Sequence, residues 1–248
     1  MILFLFPHQD DEFFIAPKIV DNIESSVCFF LTKGDFYGAD PVVRNKESLS
    51  VLTKLGLSPK NVFFLCETVP ITDTFLSENL EKVFESILRE IKNMDITEVY
   101  TTAFEGGHPD HDASAILASA LGLIKNAKVF QYFLYNALNR KEPFFNVMKP
   151  ITRDCLTREK IPLEFSLKKT FLFLKYKSQS KTWIGLGSFV IYYFLFKRFY
   201  YIQELNISIL KERPHMGKLY YEARGWKEFE KFQIDVSSFV EKNFKGLR

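Results

Sequence analysis

Ile2-Leu3-Phe4-Leu5-Phe6-Pro7-His8-Gln9-Asp10-Asp11-Glu12 is the stretch on which the fold turns. Five apolar residues closed by a proline suit one buried strand and are too short for a helix. Ser26–Leu31, Asn61–Leu65, Glu98–Thr102 and Lys128–Leu134 repeat the pattern: brief, β-branched or aromatic, and bounded by turn residues. Between them, Glu12–Ile23, Val42–Leu55, Leu76–Ile91 and Asp112–Leu123 carry helical spacing. In the clearest, Leu76, Leu80, Val83, Phe84, Ile87, Leu88 and Ile91 form one stripe. Strand–helix alternation predicts an α/β fold, a Rossmann-like three-layer sandwich around a mostly parallel sheet.

After position 135 the alternation fades. Pro143, Pro150 and Pro162 punctuate a loop-rich stretch, Leu163–Ser178 reads as helix, and Trp183–Phe199 is an aromatic run interrupted by Gly185 and Gly187. No Gly/Ser-rich or charged linker separates this region. Residues 1–248 therefore read as a single domain, with a sheet-and-helix core over 1–139 and a C-terminal elaboration over 140–248 on the same sheet. Residues 1–139 carry 11 Lys/Arg against 19 Asp/Glu, and residues 140–248 carry 22 against 11. An acidic half beside a basic half can set a cation site next to a surface that meets an anion. There is no periodic repeat, and the sequence assigns no oligomeric state.

Composition narrows the class further. With 47% apolar residues, 27 of the 248 being Phe, the chain has ample material for a deep core and is not a disordered segment. Cys28, Cys66 and Cys155 are odd in number and far apart, against a disulfide scaffold or zinc ribbon; a reducing, cytoplasmic setting fits best. Acidic residues by position 10, with no basic segment before the apolar run, do not read as a signal peptide. The longest charge-free stretch, Thr182–Phe196, has 15 residues, short of the ~20 that span a bilayer. No G-x-G-x-x-G follows the first strand, and no nucleic-acid-binding module is recognisable, so neither a dinucleotide nor a nucleic acid is an expected partner.

Three of the four histidines lie in two clusters at predicted strand ends, where open parallel sheets gather their functional groups. One is His8-Gln9-Asp10-Asp11; the other is Glu105-Gly106-Gly107-His108-Pro109-Asp110-His111-Asp112. Either alone could be a turn before a helix, with Asp as its cap. Together they supply the imidazole and carboxylate donors that divalent metals take, in the number a catalytic zinc uses while leaving a place for water.

These residues resemble a known family. PHQDDE is similar to the (A/P)HPDDE signature, and EGGHPDHDA to the HxxH segment, of the LmbE/PIG-L-like N-acetylglucosaminyl deacetylases. Thr32-Lys33-Gly34-Asp35, Arg44-x-x-Glu47 with Leu55-Gly56, and Lys175-Tyr176-Lys177-Ser178-Gln179 resemble weaker family segments. The resemblance covers about residues 1–135, with scattered matches to about 180. It implies that His8, Asp11 and His111 hold zinc, a donor set that also accepts Fe(II). Asp10, whose side chain diverges from that of Asp11, is then the general base on the attacking water. His108 faces the developing oxyanion or protonates the departing amine, Asp110 buttresses an imidazole, and Arg44 contacts substrate hydroxyls. Two positions depart from the pattern. Gln9 stands where the family has Pro, giving a less rigid turn, and Gly106 stands where some relatives carry a Tyr.

The expected activity is metal-dependent hydrolysis of the N-acetyl group of a GlcNAc-type sugar conjugate. The alternatives are hydrolysis of another amide on such a conjugate, or a catalytically silent carbohydrate-binding relative. Residues 140–200 hold 13 Lys/Arg against 4 Asp/Glu beside an aromatic run. That suits either a phosphate- or lipid-linked sugar or a peripheral contact with an anionic membrane. The plainer expectation is that those aromatics are core and those lysines solvated. His215 is expected in a surface or loop position.

Overall fold

Successive side chains of a strand point to opposite faces, and in the first strand both faces are buried. The computed structural model describes residues 1–245. Among these the strands are β1 (Ile2–Phe6), β2 (Ser26–Phe30), β3 (Val62–Phe64), β4 (Glu98–Thr102), β5 (Lys128–Tyr132), β6 (Tyr135–Asn136), β7 (Asn146–Val147), β8 (Leu156–Lys160) and β9 (Phe199–Glu204). The α-helices are α1 (Ala16–Asp21), α2 (Pro41–Leu55), α3 (Leu80–Glu90), α4 (Pro109–Lys125), α5 (Leu163–Lys169), α6 (Ser180–Ile191), α7 (Tyr220–Ala223) and α8 (Phe229–Asn243).

Seven strands form one sheet in the order β3-β2-β1-β4-β5-β9-β8, and β6 and β7 pair separately. The first five are mutually parallel; β9 joins β5 antiparallel, and β8 joins β9 antiparallel. Leu3, Leu5, Val27 and Phe29 face a core shared with α3, α4 and α8. Phe4, Phe6, Cys28 and Phe30 face a second core shared with α1, α2, α5 and α6. The three-layer expectation holds. The basic C-terminal region adds two strands to the sheet, α5 and α6 to one face and α8 to the other.

The chain runs outward from β1 through β2 to β3, then crosses back to β4 on the other side of β1. This is the reversal at which open α/β sheets form a crevice at the carboxyl ends of their strands. Leu5 of β1 lies opposite Thr101 of β4. The HQDD loop and the HPDH segment thus leave the sheet side by side.

Several boundaries differ from the sequence expectation. Residues 12–23 do not make one helix. A 3-10 turn over Asp11–Ile15 gives way to α1, because Pro17, lacking an amide hydrogen, is tolerated only in a helix's first turn. A 3-10 turn over Leu76–Glu78 likewise precedes α3, although the expected stripe is buried apart from the half-buried Leu88. Helix α4 starts at Pro109, three residues early, so HPDH is its cap and first turn. Residues 163–178 form α5 followed by 3-10 turns. The aromatic run is α6 passing into a π-helical turn over Tyr192–Lys197. Among the described residues, no helix is long and apolar enough to cross a membrane.

Candidate metal centre

The loop after β1 is held by hydrogen bonds within itself and with Thr32, Arg44 and Asn45. Pro7 O accepts from the Thr32 amide (3.1 Å) and the Thr32 hydroxyl (2.8 Å), which fastens TKGD to the HQDD turn. The His8 amide donates to Asp11 Oδ2 (2.9 Å), and the Asp10 amide to Glu12 Oε2 (2.7 Å). Asp10 has φ 102°, a left-handed conformation unfavourable for any residue but glycine. Gln9 does not slacken the turn: its amide group donates to Asn45 Oδ1 (2.7 Å) and Thr32 O (3.3 Å). Arg44, on α2, is buried and donates to Gly34 O, Gln9 O and Asp10 Oδ1, the last at 3.1 Å. The sequence placed it at substrate hydroxyls; in the fold its guanidinium clamps the loop that carries Asp10, at one edge of the cleft.

On the opposite wall, His108 caps α4, its Nδ1 accepting from the Asp110 amide (3.2 Å). That bond leaves Nε2 to carry the ring proton, and Nε2 lies 3.2 Å from Asp73 Oδ1. Asp110 Oδ2 lies 3.2 Å from His8 Nε2, the imidazole-buttressing arrangement expected for it. The same carboxylate accepts from the Thr74 (2.7 Å) and Leu76 (3.0 Å) amides. Before the helix, a Cβ on Gly107 would come within 2.1 Å of Tyr135 O, and one on Gly106 within 2.6 Å of the Leu219 side chain. No tyrosine fits at 106. Tyr135 instead brings a phenol ring to the cleft, its centroid 5.5 Å from that of His111.

Asp73 is the residue the sequence reading missed. It lies in Pro70-Ile71-Thr72-Asp73-Thr74, on the connection from β3 to α3, and its Oδ1 sits 3.3 Å from His8 Nε2 and 3.2 Å from His108 Nε2. The available signal was position: this loop leaves the same edge of the sheet as the two motifs. Glu12 also went unassigned. It is fully buried, accepting from the Tyr176 hydroxyl (2.8 Å), and so ties the KYKSQ segment to the HQDD loop. Ser178 of that segment donates to Glu47 of α2 (amide to Oε1, 3.0 Å). His215 sits in a loop but is buried, away from the cleft.

The electrostatics suit a cation. Four carboxylates (Asp10, Asp11, Asp73, Asp110) meet three imidazoles and one guanidinium in a buried space. Burial opposes the charged forms of Asp11 and Asp73, yet their histidine neighbours hold both carboxyls well below the usual range. His8 is raised: burial works against its proton, but Asp73, Asp11 and Asp110 outweigh it. His111 is lowered, first by burial, against the pull of Asp11. Burial, with Asp11 and Glu12 beside it, pushes Asp10 up to about 8 against the pull of Arg44 and His8.

His8, His108 and His111 can each offer a nitrogen within 4.8 Å of the others; in a second group, His8 and His108 nitrogens and Asp73 and Asp110 carboxylate oxygens lie equally close. Asp11 touches the first group from the side, 3.4 Å from both His8 Nδ1 and His111 Nε2. Both ring nitrogens of His111 are buried without a hydrogen-bond partner. Buried polar atoms of that kind need an explanation, and a cation supplies one. The residues present fit a divalent metal.

Around them lies a cleft of about 120 Å³, walled by Phe14, Tyr135, Leu186 and Trp226 among others. It opens beside a groove of about 670 Å³ lined by Phe145, Tyr220, Lys181 and Arg224. An α/β sandwich with a buried His/Asp cluster at its topological switch is an arrangement suited to metal-assisted chemistry. Comparison with known proteins narrows it. Residues 3–121, which contain both motifs, match the model of the PIG-L family, GlcNAc-PI de-N-acetylase. No curated protein matches the chain. Teicoplanin deacetylase, solved in a zinc-inhibited form, has the same fold at TM-score 0.58 and 15% identity, over 83% of this chain and 99% of that one. The deacetylase of the A40926 pseudoaglycone gives 0.60 and 15%, over 82% and 96%. A conserved protein of Thermus thermophilus gives 0.55 and 20%, over 75% and 83%. At 15–20% identity these likenesses are ones of fold.

Proposed function

We propose that this protein removes the acetyl group from an N-acetylhexosamine of the GlcNAc type, with zinc held by His8, Asp11 and His111. The observation that carries this reading is the buried His111, its ring nitrogens without a hydrogen bond, beside Asp11 and His8 inside the family-matched region. His108 is left out of the ligand set: its Nδ1 accepts from the Asp110 amide, and its Nε2 is kept for the proton. Asp110, on the far nitrogen of His8, fixes that ring.

Bound zinc would act as a Lewis acid, polarising the amide carbonyl and lowering the pKa of a nearby water toward ~7. Asp10 takes that water's proton; Arg44 holds its carboxylate in place, and the raised affinity for a proton makes it a competent base. His108, whose Nε2 lies 3.2 Å from Asp73 Oδ1, donates to the developing oxyanion or the departing amine. Tyr135 supplies the phenol that Gly106 does not. The rest of the substrate lies in the adjoining groove, where Tyr220 and Trp226 offer stacking surfaces and Lys181 and Arg224 suit a phosphate-linked aglycone.

The test is a panel of N-acetylated hexosamines, free, nucleotide-linked and lipid-linked, assayed for free amine with zinc, with Fe(II) and after chelation. Metal-dependent amine release from at least one member is expected. No release from any member under either metal would refute the reading.

A further inference from the structure

Helices α5 and α6, with the turns that follow each, are apolar on two sides. The inner side is core: Phe165, Phe173, Trp183, Leu186, Val190 and Phe194 are buried against the sheet. The outer side should then be polar, and it is not. Leu163, Leu167, Phe171 and Leu174 recur at intervals of four, four and three residues, the period of a helical face, and are between 50 and 65% exposed. Ile184 is 81% and Phe196 75% exposed. Single exposed apolar residues are ordinary; a periodic stripe continued on a second helix of the same layer is an interaction surface. The charge around it is one-sided. Residues 163–198 contain seven Lys/Arg and one acidic residue, Glu164, which is itself paired with Lys168 at 2.9 Å. Lys175, Lys177, Lys181, Lys197 and Arg198 are all exposed.

We propose that this outer face docks the protein on the surface of an anionic membrane. Amphipathic helices with apolar residues between lysines lie in the headgroup region, their side chains reaching the acyl boundary while the cations meet lipid phosphates. A second copy of the chain fits worse, since a symmetric contact would set this basic face against itself. The geometry also gives docking a use. Thr182 and Leu186 line the cleft, and Lys181 and Gly185 line the groove, so the helix bearing Ile184 outward is also a wall of the site. The inference does not depend on the deacetylase reading, and its readout is binding alone.

The full-length protein is sedimented with vesicles of phosphatidylcholine alone and of phosphatidylcholine mixed with phosphatidylglycerol. Binding to the mixed vesicles is expected to exceed binding to the neutral ones by about tenfold or more and to fall as salt rises. The double variant Leu174→Glu/Ile184→Glu should lose about tenfold of that binding while keeping the wild-type melting curve, because both side chains are solvent-exposed. Ile234→Glu, an exposed position on α8 across the sheet, should bind as wild type. The proposal is overturned by equal binding to both vesicles, by an unaffected double variant, or by equal loss in Ile234→Glu. Failure to bind either vesicle overturns it too, and concentration-dependent dimers abolished by the double variant would assign the face to a second copy.

Discussion

Replacing Asp10 by asparagine separates the proposed base from its structural surroundings. The exchange keeps the size of the side chain and an oxygen able to accept from Arg44, 3.1 Å away, while Gly34 O and Gln9 O continue to hold the guanidinium. It removes a charge that burial and the neighbouring Asp11 and Glu12 disfavour, as the rise to about 8 records. Loss of the ionic part of the Arg44 contact and relief of that repulsion oppose each other, so stability should stay within about 1–2 kcal/mol of wild type. Metal content should not change, since Asp10 is not a proposed ligand. Turnover should fall by about 10²–10⁴, or roughly 3–5 kcal/mol of barrier, the usual worth of a general base. The assay is amine release under saturating substrate, with elemental analysis and a melting curve on the same preparation. A metal-loaded, folded Asp10→Asn enzyme working near the wild-type rate would refute the role.

His111→Ala should abolish stoichiometric metal binding, read by elemental analysis of protein purified without chelator; wild-type metal content in the variant would remove His111 from the ligand set. Glu105 accepts from the Leu134 and Tyr135 amides, and burial pushes it from the usual 4.5 up to about 7. A pKa raised in the folded state means a contribution fully present below about pH 4.5 and lost as pH rises through 7. Wild type should therefore lose roughly 2–3 kcal/mol of stability over that window that Glu105→Gln does not lose, as measured by urea denaturation. Parallel stability curves would contradict it. A phosphate-linked N-acetylhexosamine should show higher kcat/KM than the free sugar, with an advantage that shrinks as salt is raised; equal values without salt dependence would empty the groove of its proposed anionic occupant.

What could be read from the sequence was what repeats or clusters locally. The strand positions followed from short apolar runs, and the amphipathic stripe of α3 from its spacing. HQDD and HPDH were legible because each packs its chemistry into four residues at a strand end. Asp73 was not, because it reaches the site through a loop with no period, and only the β3–α3 crossover brings it 3.3 Å from His8, 65 positions earlier. Arg44 illustrates a different limit. Its residue type suited substrate contact, but three acceptors from two other loop segments hold its guanidinium, and nothing in the local sequence announces them. The early start of α4 was available in principle, since a proline after a polar cap is a helix-start signal.

The strand pair β9–β8 has a consequence for how the chain can be divided. An unpaired strand edge is a template for pairing with other molecules, and natural sheets end in strands that are short or charged. This sheet ends in β3, only three residues long, and in β8, Leu156-Thr157-Arg158-Glu159-Lys160, whose charges discourage a further strand. The boundary of the family-matched region, at residue 121, offers no such ending. Cutting the chain after β5 would bare the edge that β9 now covers through Phe130, Gln131 and Tyr132, and would strip α8 from the apolar faces of α3 and α4. A fragment trimmed to the motif-bearing part would carry the proposed metal ligands, Asp10 and His108, though not Tyr135, and should still aggregate.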